Sequence, residues 1–375
     1  MIREAFGIIH AGEDSPNLRE LVSHRAVAAL PIAGKYRIID FPMSNMVNSE
    51  IKNVGVITSR NYRSLMNHLG SGKEWDLSRK QGGLFVLAPF SLSENSGIYR
   101  GSIEALKGSM NYIQRSKPEY GILAGTDFIY NTNFDEMMRF HIDSKADITA
   151  LYYNIDSNEE REEKSEDTFF TMDSDGRIIS LEVNPMSPSS TARNMRAYII
   201  HKDLLINLVD ECYSQGEYSF CEGLIRRNLE KYRIMAYEHK GYVGAISSVE
   251  SFYNVNMDLL NTEIRNELFN TENRIYTRVK DSVPAKYIST ADVRNSLVAN
   301  ECIIAGQVED SILFRKVRVN ENAVIKNSIV FSGVVIGENA ILENVILDKN
   351  VTVRPDCKLV GSSSFPIVIR KGGVV

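Results

Sequence analysis

From residue 297 onward the chain repeats a short unit, an apolar or β-branched pair followed by a turn, which returns about every six residues. The units include Cys302-Ile303-Ile304, Ser311-Ile312-Leu313, Val317-Arg318-Val319, Ala323-Val324-Ile325, Ser328-Ile329-Val330, Val334-Val335-Ile336, Ala340-Ile341-Leu342, Val345-Ile346-Leu347 and Val351-Thr352-Val353. Turn residues such as Asn320-Glu321-Asn322, Gly337-Glu338-Asn339 and Lys349-Asn350 divide them. Strands this short cannot bury an apolar face alone, but stacked coils can, with one strand on each flat side and one turn at each corner. Residues 297–375 are therefore expected to form a left-handed parallel β-helix. An antiparallel sandwich is the alternative, but its turns are usually about 8–12 residues apart.

A chain of 375 residues exceeds what one core usually holds, so a second domain is expected ahead of the helix. Ala5 to Ile9, Val54 to Thr58 and Tyr120 to Ala124 read as short apolar strands. Between them, Ser102 to Gln114 carries Ile103, Leu106, Met110 and Ile113 at helical spacing. Alternating strands and helices predict a Rossmann-like α/β domain over 1–260 with a mostly parallel sheet. Ligands bind such sheets beyond the carboxyl ends of the strands, here the loops after Ile9 and Ala124. The polar stretch 261–296 reads as a connector.

A formal charge of −5 with no long basic run gives no nucleic-acid footprint. The charge run Glu159 to Lys164 reads as a solvated face. No segment approaches the roughly 20 apolar residues of a membrane span, and the first residues lack a secretory signal, so a cytoplasmic location is expected. Cys212, Cys221, Cys302 and Cys357 form no C-x-x-C pair and have no His at metal-ligand spacing, so they read as reduced thiols rather than zinc ligands. A hexapeptide-repeat acyltransferase is disfavoured as well. Such enzymes use a histidine on the β-helix, and His10, His24, His68, His141, His201 and His239 all precede it.

Several segments carry a specific resemblance: Gly34-Lys35-Tyr36-Arg37-Ile38-Ile39-Asp40-Phe41, Tyr99-Arg100-Gly101-Ser102, Leu123-Ala124-Gly125 with Asp127, Glu250-Ser251-Phe252-Tyr253, and Ile275-Tyr276-Thr277. With the β-helix in its expected place, the chain resembles ADP-glucose pyrophosphorylase (glucose-1-phosphate adenylyltransferase) along nearly its whole length. The resemblance implies a reaction of ATP with glucose 1-phosphate, assisted by Mg2+, giving ADP-glucose and pyrophosphate for glycogen synthesis. Joining two polyanions requires cations, backbone donors and carboxylates holding the metal.

At the positions where the family keeps those groups, this sequence differs. The loop read as G-G-x-G-T-R-L in the family is His10-Ala11-Gly12-Glu13-Asp14-Ser15-Pro16-Asn17-Leu18, with acids and a proline in place of glycines and arginine. The R-A-K-P lysine corresponds to Val27, and the adenine-reading glutamine to Phe90. Of the two metal aspartates, Asp127 remains as a displaced candidate and the other position is Ala245, so no metal site is expected. The F-V-E-K-P pair becomes Val183 and Asn184. The S-M-G glycine becomes Arg196, a cation that either binds a phosphate or fills the pocket; filling is the reading adopted. Gly12, Tyr99, Arg100, Gly101, Asn184 and Arg196 are thus remnants of a substrate site, with Tyr99 and Arg100 also explicable by loop packing.

The resemblance extends to a regulatory, GlgD-type subunit that assembles with a catalytic GlgC-type chain, as a heterotetramer, the partner binding ATP and Mg2+. Arg25, Lys35 and Arg37 fall where the family binds anionic effectors, though ordinary surface ion pairing would also explain them. The alternative is an active sugar-phosphate nucleotidyltransferase with changed substrate preference, using Arg196 and Arg100 to neutralise phosphate.

Overall fold

A computed structural model describes residues 5–12, 15–58, 61–89, 99–155 and 167–375. Glu13, Asp14, Phe90 and the run Glu159 to Lys164 lie outside the described residues.

The first domain is built on a nine-stranded sheet. Its strands are β1 (Ala5–Ala11), β2 (Asn53–Thr58), β3 (Gly83–Leu87), β4 (Tyr120–Ala124), then β6 (Ile148–Asn154), β7 (Thr168–Met172), β8 (Ile178–Val183), β9 (Ala192–His201) and β10 (Ile234–Glu238). A small separate pair joins β5 (Phe128–Ile129) to β11 (Gly244–Ala245). The main order is β8-β7-β9-β4-β1-β2-β3, with β6 pairing β9 and β10. Pairing is parallel among β4, β1, β2 and β3, as the strand and helix alternation predicts. Beyond β4 the pairings are antiparallel except for that of β6 with β10, because β9 runs against both β4 and β6. The sheet is therefore mixed. β1 is buried along almost its whole length, the mark of a strand covered on both faces.

The helix expected over Ser102 to Gln114 is broken into Ser102–Gly108 and Met110–Arg115. Ser109 Oγ donates to the Ala105 carbonyl at 2.9 Å, a side-chain bond that competes with regular helix. The apolar spacing survives the break, since Ile103, Leu106, Met110 and Ile113 all enter one core.

The β-helix has three parallel five-stranded sheets. It begins earlier than 297: Lys286–Tyr287 pairs with Ile303–Ile304, and Asp292–Arg294 with Gln307–Glu309. These first strands carry few β-branched residues, and they are held by register with the coil above. The expected connector also holds a helix over Thr262–Leu268, whose Leu268 is buried. At one corner Asn322 Nδ2 donates to Asn339 Oδ1 (3.2 Å), and Asn339 Nδ2 to Asp356 Oδ1 (3.0 Å), each 17 residues on. All three residues have φ near +57°. Asn and Asp tolerate this left-handed backbone better than other side chains, so the turn chemistry sets the coil length.

One face of the β-helix docks onto the first domain. Ile312, Ile329 and Ile346 share a core with Leu18, Leu21, Phe252 and Leu259. Tyr253 Oη donates to the Asn327 carbonyl at 2.7 Å across that contact.

Candidate functional site

Beyond the carboxyl ends of β1 and β4 lies a cleft of about 430 Å³, where the fold rule places it. His10, Gly12, Tyr99, Arg100, Gly101, Gly125, Asn184 and Arg196 all line it, so the structure gathers most of the expected remnants into one place. Cys221 and Glu222, from an irregular helix over Phe220–Ile225, line it too and were not anticipated from the sequence. Nothing local in F-C-E-G marks them.

Asp127 and Ala245 are brought together. β11 pairs Ala245 with Phe128, and the Ile246 amide donates to the Asp127 carbonyl at 2.7 Å. The methyl group of Ala245 thus sits beside the loop bearing the carboxylate. Asp127 Oδ2 accepts from Arg196 Nη1 at 2.8 Å, with both side chains largely buried. Arg196 has φ +53°, a backbone state that favours glycine, which is the residue the resemblance puts there. Its amide donates to Asn194 Oδ1 at 3.0 Å, and its carbonyl accepts from the Gly125 amide at 3.2 Å. The guanidinium is therefore held beside the Asp127 loop by its own backbone.

A divalent cation needs several oxygen ligands converging on one point. Here the Asp127 carboxylate is bonded to a guanidinium, the Ala245 side chain offers no oxygen, and among the described residues no group of three or more His, Cys, Asp or Glu is arranged to hold a metal. These residues do not fit the Mg2+ of the family reaction.

Arg100 is also committed. Its Nη2 and Nε donate to Glu104 Oε1 at 2.6 and 3.0 Å, its amide to Glu104 Oε2, and its guanidinium lies 4.0 Å from the centre of the Tyr218 ring. Gly101 lets this loop pass, since a Cβ there would fall 2.4 Å from the Tyr218 carbonyl oxygen. Burial, and secondly Glu104, push the Tyr99 hydroxyl pKa up, so it stays protonated. Asn184, at φ +48°, donates its amide to the Asp167 carbonyl at 2.7 Å.

The three cations expected near the domain junction separate in role. Arg25 is not a surface residue: Nη2 donates to both carboxylate oxygens of Asp348 at 2.7 Å, and both partners are almost fully buried. Its Nη1 is buried with no partner among the described residues. Lys35 is exposed, over the Tyr36 ring. Arg37 Nη1 donates to the Ser64 carbonyl and hydroxyl, and burial lowers its guanidinium pKa to about 10, against Asp40 and with help from Arg25 and Arg278. The sequence did not flag Lys349 or Lys280. Burial first, then Arg37 and Arg25, lower the Lys349 amine to about 8. Lys280 is lowered by burial and by Arg315, Arg278, Arg37 and Lys316. The junction is thus a concentration of mutually repelling cations. Its members come from both domains, so no run in the sequence reveals it.

No helix among the described residues is long and apolar enough to cross a membrane. The Nucleotidyl transferase family matches residues 6–262, and the GlmU-like, C-terminal hexapeptide family matches residues 283–364. The chain is 33% identical to the glycogen biosynthesis protein GlgD of Bacillus subtilis (strain 168), over 98% of this chain and 96% of that one. It is 36% identical to a glucose-1-phosphate adenylyltransferase of Clostridium botulinum (strain Alaska E43 / Type E3), over 98% and 95%, and 34% identical to that of Geobacillus stearothermophilus, over 87% and 84%. With an α/β domain and a β-helix matched in order and similarity running along the whole chain, this protein belongs to the glucose-1-phosphate adenylyltransferase family, within which it resembles GlgD.

Proposed function

We propose that this chain is a non-catalytic subunit of a glucose-1-phosphate adenylyltransferase of glycogen synthesis, modulating a catalytic GlgC-type partner in a hetero-oligomer. The observation that carries this reading is the Arg196–Asp127 pair beside Ala245. In a reaction between two polyanions, a preorganised cation or metal commonly lowers the barrier by about 3–4 kcal/mol. Here the carboxylate that would hold the metal is neutralised internally and its counterpart is missing. The reading of an active enzyme with changed substrates needs Arg196 and Arg100 for phosphate, and both have carboxylate partners within the fold.

The same proposal assigns the junction to an anionic effector. Lys349, Arg37 and Lys280 are held below their ordinary pKa values by burial and by one another, a cost that a bound anion would relieve. The chain would then pass effector binding to its partner through the docked β-helix face.

The test is an ADP-glucose synthesis assay with Mg2+ on the purified chain, on a GlgC-type partner alone, and on the two co-expressed. We expect negligible turnover by the chain alone and a changed rate or effector response in the pair. Robust turnover by the chain alone would overturn the non-catalytic reading. Failure to co-purify with the partner would overturn the modulating one.

A further inference from the structure

A second cavity, of about 870 Å³, shares no lining residue with the cleft and lies towards the other ends of the strands. Ala5 and Asn53, which begin β1 and β2, line it, as does Pro118 just ahead of β4. It continues along β3, the edge strand of the described sheet, past Gly82, Phe85 and Leu87. The volume lies within the ~300–1,000 Å³ usual for small-molecule sites.

Its walls are fixed by backbone bonding. Gly82 and Gly83 have φ +72° and +100°, and the Gly83 amide donates to the Lys52 carbonyl at 2.7 Å. A Cβ at Gly82 would fall 2.6 Å from that same carbonyl oxygen, so the start of β3 presses directly on Lys52. Asn53 Nδ2 donates to Ser116 Oγ at 3.0 Å, and Ser116 Oγ to the Tyr112 carbonyl at 2.8 Å. Tyr112 Oη in turn donates to the Gly7 carbonyl at 3.0 Å, tying this wall to β1.

Three cations line the cavity, Lys52, Arg115 and Lys117, against one carboxylate, Glu50. None of the three side chains has an ion-pair or hydrogen-bond partner among the described residues. In a chain of formal charge −5, whose cleft arginines and Arg25 all have carboxylates, this is a local excess of unmet positive charge. The same cavity holds Phe85, whose ring centre lies 5.4 Å from that of Tyr112 while the residue stays 42% exposed.

A bare inorganic anion would meet the cations but leave the exposed ring and most of the volume unused. Bases stack on aromatic rings whatever their identity, and phosphates take charge-assisted bonds from Arg and Lys. We propose that this cavity binds a nucleoside diphosphate, its base against Phe85 and its phosphates among Lys52, Arg115 and Lys117. Two sources present that group, a free nucleotide and a nucleotide sugar. The site is independent of the cleft, of the junction and of the non-catalytic reading.

The experiment is calorimetric titration of the full chain, without added metal, with ADP, ADP-glucose, adenosine and pyrophosphate. It is paired with hydrogen exchange over residues 50–53, 81–87 and 111–118. Saturable ADP binding with protection in those segments is expected, adenosine and pyrophosphate each binding at least tenfold more weakly. ADP-glucose binding as tightly as ADP or more so assigns the nucleotide sugar, and weaker binding assigns the free nucleotide. Phe85→Ala should weaken ADP about tenfold, the order of one stacked base. Arg115→Glu with Lys117→Glu should abolish binding. Both side chains are exposed and unpaired, so this variant keeps the proposal falsifiable where Phe85→Ala unfolds. The proposal is overturned by no saturable ADP binding, by protection confined to the cleft or the junction, or by an affinity that both folded variants retain. Pyrophosphate binding as tightly as ADP overturns it as well, since the ring then has no part, and so does hexaglutamate binding where ADP fails.

Discussion

The cleft and the domain junction treat charge in opposite ways. In the cleft each described cation has a carboxylate: Arg196 has Asp127, and Arg100 has the buried Glu104. At the junction Asp348 serves Arg25 and Asp40 bears on Arg37, yet Arg37, Lys280 and Lys349 keep depressed pKa values. A neutralised site has little to offer a polyanion, whereas a frustrated one gains from binding it. Within a single chain, the cations of the cleft are paired with carboxylates while those of the junction crowd one another.

The contrast is broken most severely at Asp348. Asp348→Ala leaves the buried Arg25 charge unpaired among like charges, and removing one partner of a buried ion pair costs about 3–5 kcal/mol. Urea unfolding should show a loss of that size, whereas Arg25→Met with Asp348→Leu should recover most of it. If the single variant unfolds at the parental midpoint, the pair is not the junction's keystone.

Lys349 gives the opposite sign. Its folded pKa of about 8 lies below the ordinary 10.5, so the folded state disfavours the proton. The resulting penalty is fully present below pH 8. It is relieved as pH rises from about 8 towards 10.5, where the unfolded chain still holds a proton that the folded one has lost. Lys349→Met should therefore stabilise the chain near neutral pH, by on the order of 1–3 kcal/mol, and the gain should vanish towards pH 10.5. The same linkage makes anion affinity at the junction fall as pH rises through about 8. Titration with inorganic phosphate at pH 7 and pH 9 checks this, and equal affinities would remove Lys349 from the site.

How these regions could be foreseen differs with the range of the interactions. The β-helix was legible because its period is local: Ile325, Leu342 and their neighbours repeat at coil spacing, and Asn322, Asn339 and Asp356 mark the corners. Its first strands, Lys286–Tyr287 and Asp292–Arg294, were not, since their stability comes from pairing with the next coil rather than from their own apolar content. The cleft residues were legible through resemblance, and the left-handed backbone at Arg196 fits a position made for glycine. Arg25 was misplaced because its partner lies 323 residues away, and no local signal separates a buried arginine from a surface one.

The smallest effect tests that backbone. At Arg196 a side chain is held at φ +53°, and an L-residue pays roughly 1–2 kcal/mol for this conformation relative to glycine. Arg196→Gly and Arg196→Ala both delete the ion pair with Asp127, so their difference isolates the strain. Glycine should come out more stable than alanine by about 1 kcal/mol, despite its greater freedom when unfolded. Neither change restores a second carboxylate at Ala245, so neither should confer ADP-glucose synthesis on the purified chain. Adding Ala245→Asp to Arg196→Gly is the sharper form of the comparison. With the guanidinium gone and a second carboxylate placed on β11 next to the Asp127 loop, the unliganded chain should lose stability through like-charge repulsion and regain it on adding Mg2+. A thermal midpoint that ignores Mg2+ in the double variant would mean that the displaced Asp127 cannot reach the metal position even when Arg196 releases it.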